Sequence, residues 1–249
     1  MEIIDALDFT DYRTLLTSFL LLFIIVFLRY IILSGTYHWI FLILYRKRFG
    51  GRILSSRDPK NDQIKRELLL SAYSAVIFSL TGLIILILWQ KDLTKIYSDI
   101  QEYPLWYLPV SIVIYLFIHD FYYYWLHRWM HSSKFMRSFH MEHHRSVHTT
   151  VFTSFSFHPM ESLLQAVIVP IIIMIVPMST LAILITLSLM TFSAIVNHAG
   201  VEIYPMDRKY RVFRKYVIGA THHDHHHKNS KKNFGLYFTF WDRIMKTER

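Results

Sequence analysis

Residues 68–89 read Leu68-Leu-Leu-Ser-Ala-Tyr-Ser-Ala-Val-Ile-Phe-Ser-Leu-Thr-Gly-Leu-Ile-Ile-Leu-Ile-Leu-Trp89, twenty-two residues without a charge. As an α-helix the stretch measures about 33 Å, enough to cross the ~30 Å hydrocarbon core of a bilayer. A helix satisfies every backbone N–H and C=O within one segment, and the stretch lacks the apolar–polar alternation of a membrane barrel strand. It predicts a membrane helix, and its neighbours are read by the same rule.

Upstream, residues 14–45 are apolar and interrupted only by Arg29. One helix of that length would measure roughly 48 Å, so it reads as a tilted span running on into the headgroup region, with Arg29 snorkelling or facing the protein interior. Two short spans are the alternative. Downstream, residues 103–126 form a third apolar stretch whose later half carries His119, Asp120 and three consecutive tyrosines. Residues 163–176 and 178–196 flank Pro177, and the uncharged turn Pro177-Met178-Ser179-Thr180 between them predicts a hairpin within the membrane. Its first arm is shorter than the ~17 residues usually needed to cross, so a complete and a re-entrant hairpin both stay open. The expected fold class is an all-α integral membrane protein, a bundle of about four to five transmembrane or re-entrant helices.

Composition agrees: of 249 residues, 53% are hydrophobic and 18% charged. The absence of cysteine excludes disulfides, thiolate zinc sites and iron–sulfur clusters, so any metal must sit on histidine or carboxylate. The formal charge of +9 does not argue for nucleic acid, because the basic residues gather at the ends of apolar runs, where anionic headgroups lie. The N-terminus carries Glu2, Asp5, Asp8 and Asp11 and no basic region of the kind that opens a cleavable signal, so the first apolar segment is expected to be retained.

Orientation follows from Lys and Arg. Residues 46–66 hold eight (Arg46, Lys47, Arg48, Arg52, Arg57, Lys60, Lys65, Arg66), whereas residues 90–102 hold only Lys91 and Lys95. The first linker is therefore expected to be cytoplasmic, and threading the spans puts residues 127–161 and 197–249 on that side. Near the end of the chain, Tyr210, Val212, Phe213, Tyr216 and Val217 oppose Arg208, Lys209, Arg211, Arg214 and Lys215, the pattern of an interfacial amphipathic helix or of a soluble surface helix.

Fourteen of the 15 histidines lie between His119 and His227, almost all in the segments just assigned to one side. His127 and His131 are four apart, which puts both imidazoles on one face of a continuing helix. His140-Met-Glu-His143-His144 and His223-Asp-His-His226-His227 share an i, i+3, i+4 spacing. Each group can aim two or three nitrogens at one point. One six-coordinate ion with open positions cannot use all eight ligands, whereas two neighbouring ions can, so a dinuclear centre is the economical reading. Neutral imidazole suits Fe, Zn, Cu and Ni alike. A solvated histidine tract is the bland alternative for residues 222–227, but three spaced groups on one side of the membrane argue against it.

The ordered series His119-Asp-Phe-Tyr-Tyr-Tyr-Trp-Leu-His127-Arg-Trp-Met-His131, His140-Met-Glu-His143-His144, Phe157-His158-Pro159, Asn197-His198-Ala-Gly, His222-His223-Asp224-His225-His226-His227 and Trp241-Asp242-Arg243 resembles the fatty acid hydroxylase/sterol desaturase superfamily over roughly residues 112–247. The resemblance implies a histidine-rich cap on a helical bundle, a dinuclear metal centre, and oxygen-dependent hydroxylation or desaturation of a sterol, fatty acid or related lipid. Iron is implied by that oxygen chemistry, and purified protein carrying zinc would not contradict it. A separate electron donor is also implied, whether cytochrome b5-like, a ferredoxin or a reductase, since the chain shows no haem module and no flavin or nicotinamide fingerprint.

Carried over residue by residue, the ligand set is His127, His131, His140, His143, His144, His223, His226 and His227, with His198 as a ninth ligand. His222 is a tenth candidate, or is replaced by Glu202. His158 is ligand or support, His119 structural, and the solitary His38 a satisfied core histidine. Asp120, Glu142, Asp224 and Asp242 are candidates to accept the outer N–H of metal-bound imidazoles, with a plain helix-surface charge as the alternative for Glu142. Tyr122, Tyr123, Tyr124 and Trp125 either wall a substrate channel or sit as ordinary interfacial aromatics. The expected organisation is an N-terminal membrane region with a basic linker over 1–111 and a hydroxylase-like domain over 112–247. The setting is the bacterial inner membrane or the endoplasmic reticulum, with the cap cytoplasmic. The rival class is a non-enzymatic zinc-binding or transport protein of the membrane. The spans offer few polar residues for an ion path, which weighs against it.

Overall fold

The computed structural model describes residues 7–54, 59–205 and 207–249; Glu2, Asp5 and Arg57 lie outside the described residues, as do the side chains of Arg211 and Arg214. The described chain is mostly helical, its helices joined by irregular loops, with one two-residue parallel strand pair and two isolated bridges. Eight helices carry the architecture. They are α1 (Tyr12–Leu44), α2 (Asn61–Gln90), α3 (Tyr107–Ser132), α4 (Lys134–His144), α5 (Pro159–Ala166), α6 (Ile168–Ile175), α7 (Thr180–His198) and α8 (Ala220–Lys228).

By length and composition α1, α2 and α7 are long and apolar enough to cross a membrane, and α5 with α6 makes a shorter apolar helix, Pro159–Ile175. The first stretch is thus one element rather than two short spans. Its last seven residues, His38–Leu44, wind as a π-helix. The expected third span differs. Helix α3 is 26 residues long but does not join the three apolar spans, because its C-terminal half is given over to His119, Asp120, His127, Arg128 and His131.

Buried residues of α2 are Glu67, Ser71, Ser74, Ala75 and Ser79, a stripe of mostly small side chains at helical spacing. Small side chains let backbones approach closely, which is how helices pack where lipid removes the hydrophobic drive between them. The hydroxyls find partners: Ser71 Oγ donates to Tyr30 Oη at 3.0 Å, and Ser74 Oγ meets Ser162 Oγ at 2.8 Å. Outward faces carry Leu16, Leu20, Leu21, Ile24, Ile25, Leu28 and Ile32, all exposed, as a lipid-facing surface requires.

The hairpin question has a definite geometric answer. Strand β1 (Ile96–Tyr97), in the loop after α2, pairs in parallel with β2 (Met178–Ser179), in the turn between α6 and α7. The hairpin therefore runs the depth of the bundle to the level of the α2–α3 loop instead of turning back midway. At the opposite end, Leu54 N–H donates to the Gly200 carbonyl at 2.8 Å and Ile53 bridges Val201, which ties the first linker to the exit of α7. The histidines gather at that end.

Two expectations are corrected. His38 is exposed, because the buried face of α1 is Tyr30, Ser34 and Tyr37 and the next residue turns about 100° away from it. The amphipathic helix shrinks to Arg211–Tyr216, since Val217 leaves it to bridge Phe238. Tyr210, Val212, Phe213 and Tyr216 are nonetheless exposed together.

Candidate metal centre

Helix α3 delivers His127 and His131 on one face. After Ser133, whose hydroxyl caps α4 by accepting Met136 N–H, α4 delivers His140, His143 and His144. Helix α7 ends on His198, and Gly200 follows at φ 67°, a left-handed stop that favours glycine. Helix α8 delivers His223, His226 and His227.

The nitrogens of His127, His131, His140, His144 and His226 form one cluster, and those of His143, His198, His223 and His227 a second, each with its members within 4.8 Å of one another. The clusters adjoin: the His144 and His227 rings, one from each, have centroids 4.6 Å apart. The nine histidines named from the motifs with His198 all take part. His222 does not. Its Nε2 lies 3.8 Å from Asp242 Oδ2, and neither of its ring nitrogens has a hydrogen-bond partner.

The outer nitrogens explain why the inner ones converge. His127 Nδ1–H donates to the Phe234 carbonyl at 2.9 Å, His143 to Ser156 at 3.1 Å, His198 to Ala194 at 2.7 Å and His226 to Lys232 at 2.7 Å. A carbonyl only accepts, so in these rings Nδ1 carries the proton and Nε2 a lone pair. Burial, with the neighbouring imidazoles adding to it, holds His127, His143, His144, His223 and His227 well below the ordinary imidazole value, and burial draws His226 down to about 3. In these six rings burial disfavours the charged form. Yet Nε2 faces Nε2 at 3.0 Å for His131–His226, 3.0 Å for His140–His131, 3.1 Å for His144–His140, 3.1 Å for His226–His144, 3.1 Å for His198–His143 and 2.8 Å for His223–His198.

In the His143–His198 pair both rings carry their proton on Nδ1, so two Nε2 lone pairs face each other at 3.1 Å and repel unless a cation lies between them. With metal–nitrogen bonds of about 2.1 Å, adjacent ligands of an octahedral ion stand about 3.0 Å apart and those of a tetrahedral ion about 3.4 Å. The donor set and spacing fit two metal ions.

The proposed carboxylate acceptors sit elsewhere. Asp120 Oδ1 accepts Leu236 and Tyr237 N–H at 3.1 and 2.7 Å, while Asp242 accepts Phe234 and Gly235 N–H, each at 2.8 Å. They shape the 233–237 loop, whose Phe234 carbonyl receives His127, so their support is one step removed. Glu142 pairs with Arg145 at 2.8 Å and lies 3.8 Å from Arg66, the surface-charge reading. Asp224 accepts Lys228 Nζ at 2.6 Å. Glu202 serves α8 as a cap: its Oε2 accepts Thr221 N–H at 3.0 Å in place of the side chain that Gly219 lacks.

His119 lies apart, its Nδ1 3.2 Å from Tyr237 Oη, and His158 accepts Met160 N–H as the cap of α5. Of the four aromatics, Tyr123 packs on the His127 ring with centroids 5.2 Å apart and Tyr124 is buried. Tyr122 and Trp125 line an outward apolar groove of about 440 Å³ with Phe121, Leu126 and Trp129.

Sequence reasoning missed Glu161. Fully buried at the start of α5, it accepts His140 Nδ1–H on Oε1 at 2.8 Å, the only carboxylate contact to a ring of either cluster among the described residues. The available signal was a carboxylate opening an apolar helix, which demands a partner.

The fatty acid hydroxylase family profile matches residues 112–247. The chain is 30% identical over 198 residues to lathosterol oxidase of Homo sapiens, covering 79% of this chain and 64% of that protein. It is 31% identical over 185 residues to lathosterol oxidase of Rattus norvegicus, covering 74% and 60%. Over 70 residues it is 40% identical to a C-4 methylsterol oxidase of Schizosaccharomyces pombe, covering 28% and 22%. The chain thus spans less than two thirds of the length of these curated relatives. No solved structure matches it significantly. A chain with this profile match and this order of histidines on an apolar helical bundle belongs to the fatty acid hydroxylase/sterol desaturase superfamily.

Proposed function

We propose that the protein is a membrane oxidoreductase that holds two metal ions in its adjoining histidine clusters and uses molecular oxygen to oxidise a C–H bond of a sterol or related lipid. The observation that carries this reading is the pair of adjoining histidine clusters, five and four rings, in which His127, His140, His143, His198 and His226 have their outer N–H groups tied to fixed acceptors. A redox-active pair held there, for which iron is the fitting choice, would supply the oxygen chemistry that an unactivated carbon requires. The protein's own contribution is orientation and exclusion. Carbonyls of Phe234, Ser156, Ala194 and Lys232 fix the ring planes, and the burial of the clusters keeps water from the reacting centre.

The sterol class is suggested by the relatives' names, and the apolar bundle is the environment such a substrate occupies. Residues 112–247 would carry the oxidation chemistry, and residues 1–111 the N-terminal membrane region. The basic linker favours a cap on the cytoplasmic side of the inner membrane or endoplasmic reticulum, where a separate electron donor such as a cytochrome b5-like protein, a ferredoxin or a reductase would reach it. The test is to reconstitute the iron-loaded chain with lipid extract, reductant and labelled dioxygen and to examine the lipids by mass spectrometry. Label in a new hydroxyl group supports hydroxylation, and loss of two hydrogens without label supports desaturation. Absence of both oxygen uptake and lipid change refutes the proposal.

A further inference from the structure

The two clusters are not built alike. In the five-histidine cluster, His127 and His226 donate to carbonyls, and His140 donates to the Glu161 carboxylate. In the four-histidine cluster, His143 and His198 donate to carbonyls, while His223 Nδ1 and both nitrogens of His227 are buried without a hydrogen-bond partner. Glu161 is held in turn. Gln165 Nε2 donates to its Oε1 at 3.1 Å, and its Oε2 is buried without a partner. A carboxylate behind an imidazole makes the ring a stronger donor than a carbonyl does and places a negative charge close to the ion.

We infer that Glu161 is a positioning residue that makes the centre intrinsically unequal, so that the five-histidine cluster retains its metal more tightly than the four-histidine cluster. The inference rests on the metal-binding reading above. It adds a functional role to a residue outside the histidine motifs, and it predicts an order of metal loss. The charge of Glu161, and not only its shape, sets that order, since glutamine would preserve an oxygen able to accept His140 Nδ1–H.

The experiment uses the full chain in detergent, loaded with Co(II) and challenged with a chelator, following metal content by mass spectrometry and the visible ligand-field bands. Wild type should bind two ions and release them in two phases. His223→Ala should remove the fast phase and leave the slow one. Glu161→Gln should weaken slow-phase retention by roughly 10–100-fold, alter only the slow-phase bands, and leave the fast phase in place. Release of both ions in one phase from wild type overturns the inference without need of any variant, and so does a Glu161→Gln protein with the wild-type slow phase and spectrum. Failure of wild type to bind two ions would instead refute the dinuclear reading itself.

Discussion

His143 and His144 are neighbours in the chain, yet their ring planes stand 87° apart and their nitrogens enter different clusters. His226 and His227 repeat the relationship, with planes at 85°. Helix geometry accounts for it. Residues four apart are offset by about 40°, so His140 and His144 share one cluster, and His223 with His227 shares the other. The middle member of each motif, three residues from the first, swings to the opposite side of that axis and joins the other cluster. One spacing used twice, once in each sense, knits the two clusters together.

That division separates two substitutions. His226→Ala should deprive the five-histidine cluster of metal and His143→Ala the four-histidine cluster, each lowering metal content by about one ion per chain and abolishing lipid oxidation, with membrane insertion unchanged. Metal analysis of membrane-extracted protein checks it; full occupancy with turnover in both variants would remove these residues from the ligand set.

Adjacent positions on α8 should behave oppositely. His222→Ala should keep both ions, because the ring points toward Asp242, whereas His223→Ala should lose one. His38→Ala, on the exposed side of α1, should leave metal and activity as they are. Measured side by side, equal metal loss in the His222 and His223 variants would contradict the placement of α8.

Gly219→Ala tests the borrowed cap. A Cβ there would lie 2.7 Å from Tyr204 Cδ2 and 3.0 Å from Glu202 Oε2, displacing the residue that caps α8. The expected cost is about 1–3 kcal/mol, read as a lower thermal midpoint in detergent together with weaker metal retention. An unchanged midpoint would mean that the cap is dispensable.

Removing metal should be reversible. Chelation under anaerobic conditions should abolish oxygen uptake, and Fe(II) should restore it, while zinc should fill the clusters without restoring turnover. Oxygen-electrode traces with metal content in parallel decide; turnover by the zinc-filled protein would overturn the redox role.

Much of this architecture was legible. Continuous apolar runs mark α1, α2 and α7, because a lipid-facing helix leaves no choice of residue. Histidine spacing exposes the cluster members because 3.6 residues per turn converts sequence offset into direction. Helix α3 is less plain, since His119, Asp120, His127 and His131 break its apolar run. Contacts between distant segments were opaque: nothing local ties Glu161 to His140, or Glu202 to Thr221. Of the four candidate carboxylates, Asp120 and Asp242 are taken by backbone N–H groups of the 234–237 loop, and Glu142 and Asp224 by Arg145 and Lys228, partners that the histidine motifs do not announce.

The two chain ends of each cluster carry one more consequence, for the life history of the molecule. Since the five-histidine cluster needs His226 from α8 beside His127 from α3, and the second needs His223 and His227, neither is complete until α8 has been made. A chain truncated before α8 would keep four histidines of the first cluster and only two of the second, so the proposed centre would lose its second half before its first.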